Sequence, residues 1–346
     1  MNNVLIECVP NISEGRDLDI INSIVDSARQ IKGVIILGCE PDSDYNRTVI
    51  TIAGDPVSVT KGAYAIILKS LELIDMSVHS GNHPRMGAVD VCPFVPLTDN
   101  SMKYCIQSAK NLSELIGGKI PHFFYGEAAT SEQRVSLSSL RKMEYEGLES
   151  RFNGGDWSNE DTRMPDRWSG NWGNNESRFG AVAIGARNIL VAYNVNFDEK
   201  DAFVAKKAGS LIRSTGRLIK QADGRRMRVP GMLPMVQGMG VTLEAHGISQ
   251  VSMNLRDVEQ CPMHVAFEAC KSIASDHGIE VPGSELVGLV PLSAMLESGA
   301  WYADESTTDE DSIVVAAIQG LGLDQLGRFD PNDRIIEYAL KGALNQ

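Results

Sequence analysis

Residues 4–37, VLIECVPNISEGRDLDIINSIVDSARQIKGVIIL, alternate between two kinds of apolar pattern. Residues 4–9 form a short apolar run typical of a strand, and the turn-rich PNISEGR follows at residues 10–16. Between residues 17 and 31 the apolar side chains recur at helical spacing, and a second apolar run occupies residues 34–37. Strands that alternate with helices in this way predict an α/β sheet.

The same alternation continues through the first half of the chain, where we predict strands at 48–53, 89–95 and 120–125 and helices at 56–74 and 100–116. Between residues 150 and 177 the periodicity disappears and Gly, Pro and Asn cluster, so we place a domain boundary there. The second half gives a predicted order of strand, helix, two strands, helix and strand, at 181–197, 199–213, 235–243, 249–255, 262–277 and 286–290. This order predicts a split βαβ unit. An acidic stretch after Tyr302 leads into predicted helices.

The composition is that of a folded globular protein with room for two domains: 346 residues, 43% hydrophobic and 22% charged. A formal net charge of -13 argues against nucleic-acid binding, because the one short basic run, DGRRMR at 223–228, is typical of a solvated loop. The six cysteines form no C-x-x-C pair, which predicts reduced, buried thiols. No signal peptide and no apolar window of about 20 residues is present, so we expect no membrane association and a cytoplasmic protein.

The densest group of titratable residues lies in residues 74–87, IDMSVHSGNHPRMG, between a predicted helix and a predicted strand. His79 and His83 have the spacing of helical metal ligands, but Gly81 and Pro84 oppose a helix, so we expect no metal. Imidazole titrates near pH 6.5 and can both accept and return a proton, which makes His83 our candidate general acid and base. The alternative is that both histidines only hydrogen-bond the loop.

Two other loops carry weaker signals. EPDSDYNRT at residues 40–48 offers three carboxylates, an amide and a guanidinium, but it lacks the glycine and terminal glutamate of an EF-hand loop. GAVAIGAR at residues 180–187 lacks the G-x-G-x-x-G spacing and leads into a strand, which excludes a dinucleotide-binding loop.

Several motifs occur together in one order: ECVPNISEGR (7–16), NRTV (46–49), HPRMGAVDVCPF (83–94), YGEA (125–128), GAR (185–187), AYNVN (192–196) and QVSMNL (250–255). Over residues 3–302 the chain resembles the glutamate formiminotransferase family. The resemblance implies two subdomains with split βαβ-like mixed sheets facing each other and helices on the outside. The implied division is residues 1–178, residues 179–303 and a helical tail at 304–346.

The resemblance also implies a reaction: the formimino group of N-formimino-L-glutamate moves to the co-substrate tetrahydrofolate, and glutamate is released. His83 is the implied catalytic residue, no metal is implied, and a homodimer is expected. Bifunctional relatives continue into a cyclodeaminase domain, whereas here a helical segment at 330–346 follows, so we expect a monofunctional enzyme.

Both substrates carry carboxylates, for which planar guanidinium groups are suitable bidentate partners. The expected substrate- and folate-binding residues are Glu40, Asn46, Arg47, His79, Asn82, Arg85, Glu127, Gly180, Arg187 and Asn194. The chain departs from the family at Asn82 and Glu40, where Glu and Asp are usual, and at residues 165–170. A folate-dependent formyltransferase and a non-catalytic folate-binding protein therefore stay open as alternatives.

Overall fold

The computed structural model describes residues 4–98, 100–157 and 159–344, and it divides the chain into two compact units, Met1–Asn188 and Ile189–Gln346. We call these the first unit and the second unit. Within the described residues, every helix is too short or too polar to cross a lipid bilayer.

The first unit contains seven strands and seven α-helices within the described residues: β1 (Ile6–Cys8), β2 (Asn11–Ile12), α1 (Leu18–Arg29), β3 (Val34–Asp42), β4 (Arg47–Gly54), α2 (Pro56–Leu73), β5 (Val89–Pro96), α3 (Met102–Ile116), β6 (His122–Gly126), α4 (Leu137–Leu140), α5 (Leu148–Phe152), α6 (Glu160–Arg163), α7 (Asn174–Phe179) and β7 (Val182–Ala186). The helix starts follow from the sequence. Asp17 caps α1 by accepting hydrogen bonds from the amides of Asp19 and Ile20, and Asp55 caps α2 ahead of Pro56.

One mixed sheet holds all seven strands of the first unit. β1 and β2 both pair with β4 on one side and β5 on the other, so they act as one interrupted strand. The resulting order is β3, β4, β1 with β2, β5, β7, β6, and only the β5–β7 and β7–β6 pairs are parallel. A main apolar core joins this sheet to α1, α2 and α3.

The second unit contains β8 (Val191–Phe197), α8 (Phe203–Ile212), β9 (Arg217–Lys220), β10 (Arg226–Val229), β11 (Val236–Leu243), β12 (Ile248–Leu255), α9 (Met263–Ser275), β13 (Gly283–Val287), α10 (Leu292–Tyr302), α11 (Glu310–Leu321), α12 (Pro331–Arg334) and α13 (Ile336–Leu344). Its main sheet has the order β11, β12, β8, β13 with every pair antiparallel. The strands of the two βαβ arms, β8–β11 and β12–β13, thus interleave, which confirms the predicted split βαβ unit. The first unit repeats the same order in β3, β4, β1 with β2, and β5.

The predicted strand at 181–197 is two strands in different sheets. β7 pairs with β5 and β6 in the first unit, whereas β8 pairs with β12 and β13 in the second. The predicted boundary after residue 178 therefore falls inside the first unit, and the structural division lies between Asn188 and Ile189. The sequence hides this break because both strands are largely buried and only the two polar residues Arg187 and Asn188 stand between their apolar stretches.

Within the described residues 304–344, the predicted C-terminal tail is part of the second unit. Val314, Ala317, Ile318 and Leu321 of α11 lie in the core of the second unit with Tyr193 of β8. The last predicted strand, at 286–290, is shifted and becomes Gly283–Val287.

Candidate active site

Three loops of the first unit converge on Asn46, which lies between β3 and β4 with a φ of 50°. Its side-chain oxygen accepts a hydrogen bond from the Gly15 amide at 2.9 Å, and its nitrogen donates to the Ser80 carbonyl at 2.9 Å. Gly81 fits this junction because a Cβ there would lie 2.4 Å from the Tyr45 carbonyl oxygen. Asn46 therefore fixes the loop of residues 74–88 beside the start of β4.

His83 lies half-buried in that loop and faces Arg47, with 3.4 Å between its Nε2 and the guanidinium Nη1. Because a guanidinium only donates hydrogen bonds, Nε2 presents its lone pair and the ring proton belongs on Nδ1. Burial first, and then the charges of Arg47, Arg141 and Arg85, lower the pKa of His83 to about 2. The imidazole is therefore neutral near pH 7 and able to accept a proton.

Arg47 is largely enclosed and only partly paired. Its Nη1 donates to the Asn11 side-chain oxygen at 3.3 Å, and its guanidinium carbon lies 5.8 Å from the centre of the Tyr45 ring. Its Nε is buried and has no hydrogen-bond partner among the described residues. A buried, unpaired donor on a cation next to His83 fits an anionic or carbonyl-bearing ligand.

His79 and Arg85 form a second pair in the same loop. The His79 Nε2 lies 3.2 Å from the Asn46 carbonyl, and Arg85 Nε donates to His79 Nδ1 at 3.4 Å. Burial is the main cause that lowers the pKa of His79, so this ring is also neutral. The guanidinium of Arg85 meets Glu146 and Glu144, and an open cleft of about 490 Å³ lies over the pair, lined by His79, Ser80, Gly81, Arg85, Met143, Glu144 and Glu146.

Asp90 and Arg141, which the sequence did not single out, stabilise the loop of residues 74–88. Asp90 is buried, accepts the Met86 amide at 2.9 Å and forms an ion pair with Arg141. This pair places the positive charge of Arg141 close enough to lower the pKa of His83. The sequence could have indicated Asp90, because it belongs to the HPRMGAVD motif. It could not have indicated Arg141, which lies 51 residues away.

The structure thus brings five predicted residues together in two contacting groups, Arg47 with His83, and His79 with Asn46 and Arg85. Asn82 precedes His83 in the chain and is exposed, and Glu40 lies half-buried on β3 opposite Val49. Their roles in binding stay predictions.

The remaining predicted residues make other contacts. Glu127 is exposed, and its amide donates to the Ala186 carbonyl at 2.8 Å. Gly180 has a φ of 77°, and a Cβ there would lie 2.1 Å from the Met86 carbonyl, which explains the glycine by backbone packing. Arg187 donates to the Asn188 carbonyl at 2.9 Å. Asn194 lies in the second unit and donates to Glu285 at 3.4 Å.

Asn194 belongs to a polar face of the second sheet. Gln250 donates to Asn196 at 2.8 Å and to Glu285 at 3.2 Å, while Tyr193 and Val195 point to the apolar core. This polar face is buried at Asn194, Asn196 and Gln250. These amides and the Glu285 carboxylate satisfy one another by hydrogen bonds.

No group of three or more metal-ligating side chains occurs within residues 4–98, 100–157 and 159–344. The ring nitrogens of His79 contact Asn46 and Arg85, and Nε2 of His83 contacts Arg47.

The fold and the loop define an α/β protein whose first unit gathers two histidines and two arginines around the loop of residues 74–87. The chain belongs to the formiminotransferase domain family: the model of the N-terminal subdomain matches residues 5–187, and the model of the formiminotransferase domain matches residues 192–341. The first match ends and the second begins close to the structural division between the two units.

Three relatives show the extent of the similarity. Glutamate formimidoyltransferase of Streptococcus pyogenes serotype M1 is 36% identical over 86% of this chain and 93% of its own length. The glutamate formimidoyltransferase of Thermoplasma acidophilum is 35% identical over 90% of this chain and 96% of its own length. Formimidoyltransferase-cyclodeaminase of Mus musculus is 37% identical over 96% of this chain, and the chain spans only 59% of that longer relative.

Proposed function

We propose that this protein transfers the formimino group of N-formimino-L-glutamate to tetrahydrofolate and releases glutamate. Membership of the formiminotransferase family supports the proposal, as do two relatives that the chain matches over more than nine-tenths of their length and that are called glutamate formimidoyltransferase. The observation that carries it is the neutral His83, whose lone pair faces Arg47 in the HPRMG loop.

The residues present fit the co-substrate and the donor. Both molecules bear carboxylates, and the described site offers an unpaired buried Nε on Arg47 and a guanidinium fork on Arg85. Bound tetrahydrofolate supplies the nucleophilic amine.

His83 performs the proton transfers that this chemistry requires. The attacking amine must lose a proton, and the departing glutamate nitrogen must gain one before it can leave. Nε2 of His83 accepts the first proton and donates it to the second nitrogen.

The charges of the neighbouring arginines help to set the pKa of His83 and therefore its strength as a base. In the free protein Arg47, Arg141 and Arg85 oppose protonation of His83. A substrate carboxylate bound to Arg47 or Arg85 offsets part of that charge, so the pKa of His83 rises when substrate is present.

A direct assay tests the proposal. The purified protein is incubated with tetrahydrofolate and either N-formimino-L-glutamate or N-formyl-L-glutamate, and released glutamate is measured. We expect glutamate to be released from the formimino donor, and we expect this release to require tetrahydrofolate. Release with the formyl donor alone indicates a formyltransferase, and folate binding without release indicates a binding protein.

We further propose a cytoplasmic homodimer. The resemblance of the chain to its family supports the dimer, and the reduced state of all six cysteines is compatible with the location. Light scattering after gel filtration should give twice the chain mass of 37.6 kDa, and a mass of one chain contradicts the dimer.

A further inference from the structure

Arg85 of the candidate site is occupied by the protein's own carboxylates. Its Nη1 donates to Glu146 Oε2 at 2.9 Å and its Nη2 donates to Glu146 Oε1 at 2.6 Å. Nη1 also donates to Glu144 at 3.3 Å. Two parallel N–H···O bonds are the geometry in which a guanidinium binds any carboxylate, including that of a ligand.

The partners differ greatly in exposure. The Arg85 side chain is 8% exposed, whereas those of Glu144 and Glu146 are 42% and 62% exposed. The Arg85 guanidinium has already lost most of its hydration, so an anion beside it is strongly favoured. The Glu146 carboxylate is still largely hydrated, so its separation from Arg85 costs little free energy. The cleft next to the pair gives space for another carboxylate.

The backbone keeps Glu146 ready without burying it. The amide of Tyr145 donates to the Arg85 carbonyl at 2.8 Å, and the Tyr145 hydroxyl donates to the Ser177 carbonyl at 2.5 Å. Met143 and Glu144, which immediately precede Tyr145, have φ angles of 67° and 51°. Residues other than glycine rarely adopt this left-handed conformation. With the backbone held in this way, rotation of the Glu146 side chain is enough to open the two-pronged face of Arg85, which then keeps only the longer hydrogen bond to Glu144.

We propose that Glu146, assisted by Glu144, is a specificity-determining residue that occupies the Arg85 fork in the free protein and is replaced there by a carboxylate of the donor. The inference rests on the proposed function for the identity of the donor. A ligand without a carboxylate cannot restore the two hydrogen bonds that Arg85 loses, so Glu146 excludes such ligands from this end of the site. The hydrogen bond from Arg85 lowers the pKa of Glu146, so the competing carboxylate stays ionised at neutral pH.

Calorimetric titration with glutarate, a dicarboxylate that lacks the formimino group, tests the competition. Glu146→Gln keeps the size of the side chain but removes the negative charge that competes with a ligand for Arg85. We therefore expect glutarate to bind Glu146→Gln about fivefold more tightly than it binds the wild type. Glu149→Gln removes an equal charge three residues on, from an exposed side chain that forms no salt bridge in the described part of the chain, and should bind like the wild type. Equal or weaker binding to Glu146→Gln, or no binding to either protein, overturns the proposal.

A crystal structure of the wild-type protein with glutarate gives a second test that needs no variant. The proposal expects a glutarate carboxylate on Arg85 and Glu146 turned away; glutarate bound elsewhere with the Arg85–Glu146 pair intact overturns it. Neither test uses the transfer reaction. Absence of transfer activity with a positive glutarate result therefore contradicts the proposed function and leaves the carboxylate exchange standing.

Discussion

The imidazole of His83 is neutral because burial and three arginines oppose its protonation. The unfolded chain has no such opposition, so its imidazole binds a proton below about pH 6.5. Above that pH the imidazole is neutral in both states and its titration does not affect stability. As the pH falls from 6.5 toward the folded pKa of about 2, proton binding by the unfolded chain lowers the free energy of unfolding.

A pH series of unfolding measurements tests this assignment. Between about pH 7 and about pH 5, His83→Gln should lose roughly 2 kcal/mol less of its free energy of unfolding than the wild type, since one protonation contributes roughly 1.4 kcal/mol per pH unit. Urea denaturation at both pH values gives the numbers. His246→Gln, at an exposed position of the second unit, should follow the wild type. Parallel pH dependences of His83→Gln and the wild type contradict the buried, neutral imidazole.

Individual site residues were predictable where one motif contained them. His79, His83 and Arg85 share a loop of the sequence, and Asn46 and Arg47 stand together in NRTV. Glu146 was not predictable as a partner of Arg85, because 61 residues separate the two and β5, α3 and β6 lie between them. The sequence around Glu146, RKMEYEG at residues 141–147, is by itself typical of a surface loop, and only the fold places it beside Arg85.

Among the elements, the long helices and the buried strands were predictable because one side of each faces a core. The segment from α4 to α7 was not, since its helices have four to six residues and too few turns for a period to show. The β9–β10 hairpin was missed for another reason: nearly all of its side chains are exposed, so no apolar alternation marks it.

Arg151 holds the parts of this irregular segment together. It is 1% exposed, and it donates to the carbonyls of Arg163 and Leu140 at 2.8 Å and to that of Thr162. Its guanidinium carbon lies 4.0 Å from the centre of the Trp157 ring. Burial lowers the pKa of Arg151 to about 9, so the side chain stays charged at neutral pH.

Arg151→Met should lower the free energy of unfolding by roughly 3 kcal/mol, because three buried carbonyls lose their donor and methionine replaces none of them. Urea denaturation measures the change. Arg225→Met, on the exposed β9–β10 turn, is the control and should stay within about 0.5 kcal/mol of the wild type. A loss for Arg151→Met no larger than that of the control contradicts the role of Arg151 as the anchor of the segment.

On the scale of the whole molecule, both units use the same interleaved strand order, and the first adds β6 and β7 as a parallel extension. The sequence indicated this repeat only in the second half, where the strand spacing is regular. In the first half, the break between β1 and β2 at Val9 and Pro10 divides one strand into two short pieces.

The second unit should fold by itself, because the described members of its apolar core all lie between Val191 and Ile335. A fragment of residues 189–346 is therefore expected to unfold in one cooperative transition in urea, followed by far-ultraviolet circular dichroism. A gradual, non-cooperative loss of signal contradicts an independent core.

We assign the proton transfers of formimino transfer to His83, and the turnover of His83→Ala measures that role. Glutamate release from N-formimino-L-glutamate is measured with saturating tetrahydrofolate for the wild type, His83→Ala and the exposed control His246→Ala, after circular dichroism has confirmed that all three are folded. We expect turnover of His83→Ala to fall roughly 100- to 10,000-fold, the usual size of a general acid–base contribution, while His246→Ala keeps the wild-type rate. Near-normal turnover of a folded His83→Ala protein contradicts the account.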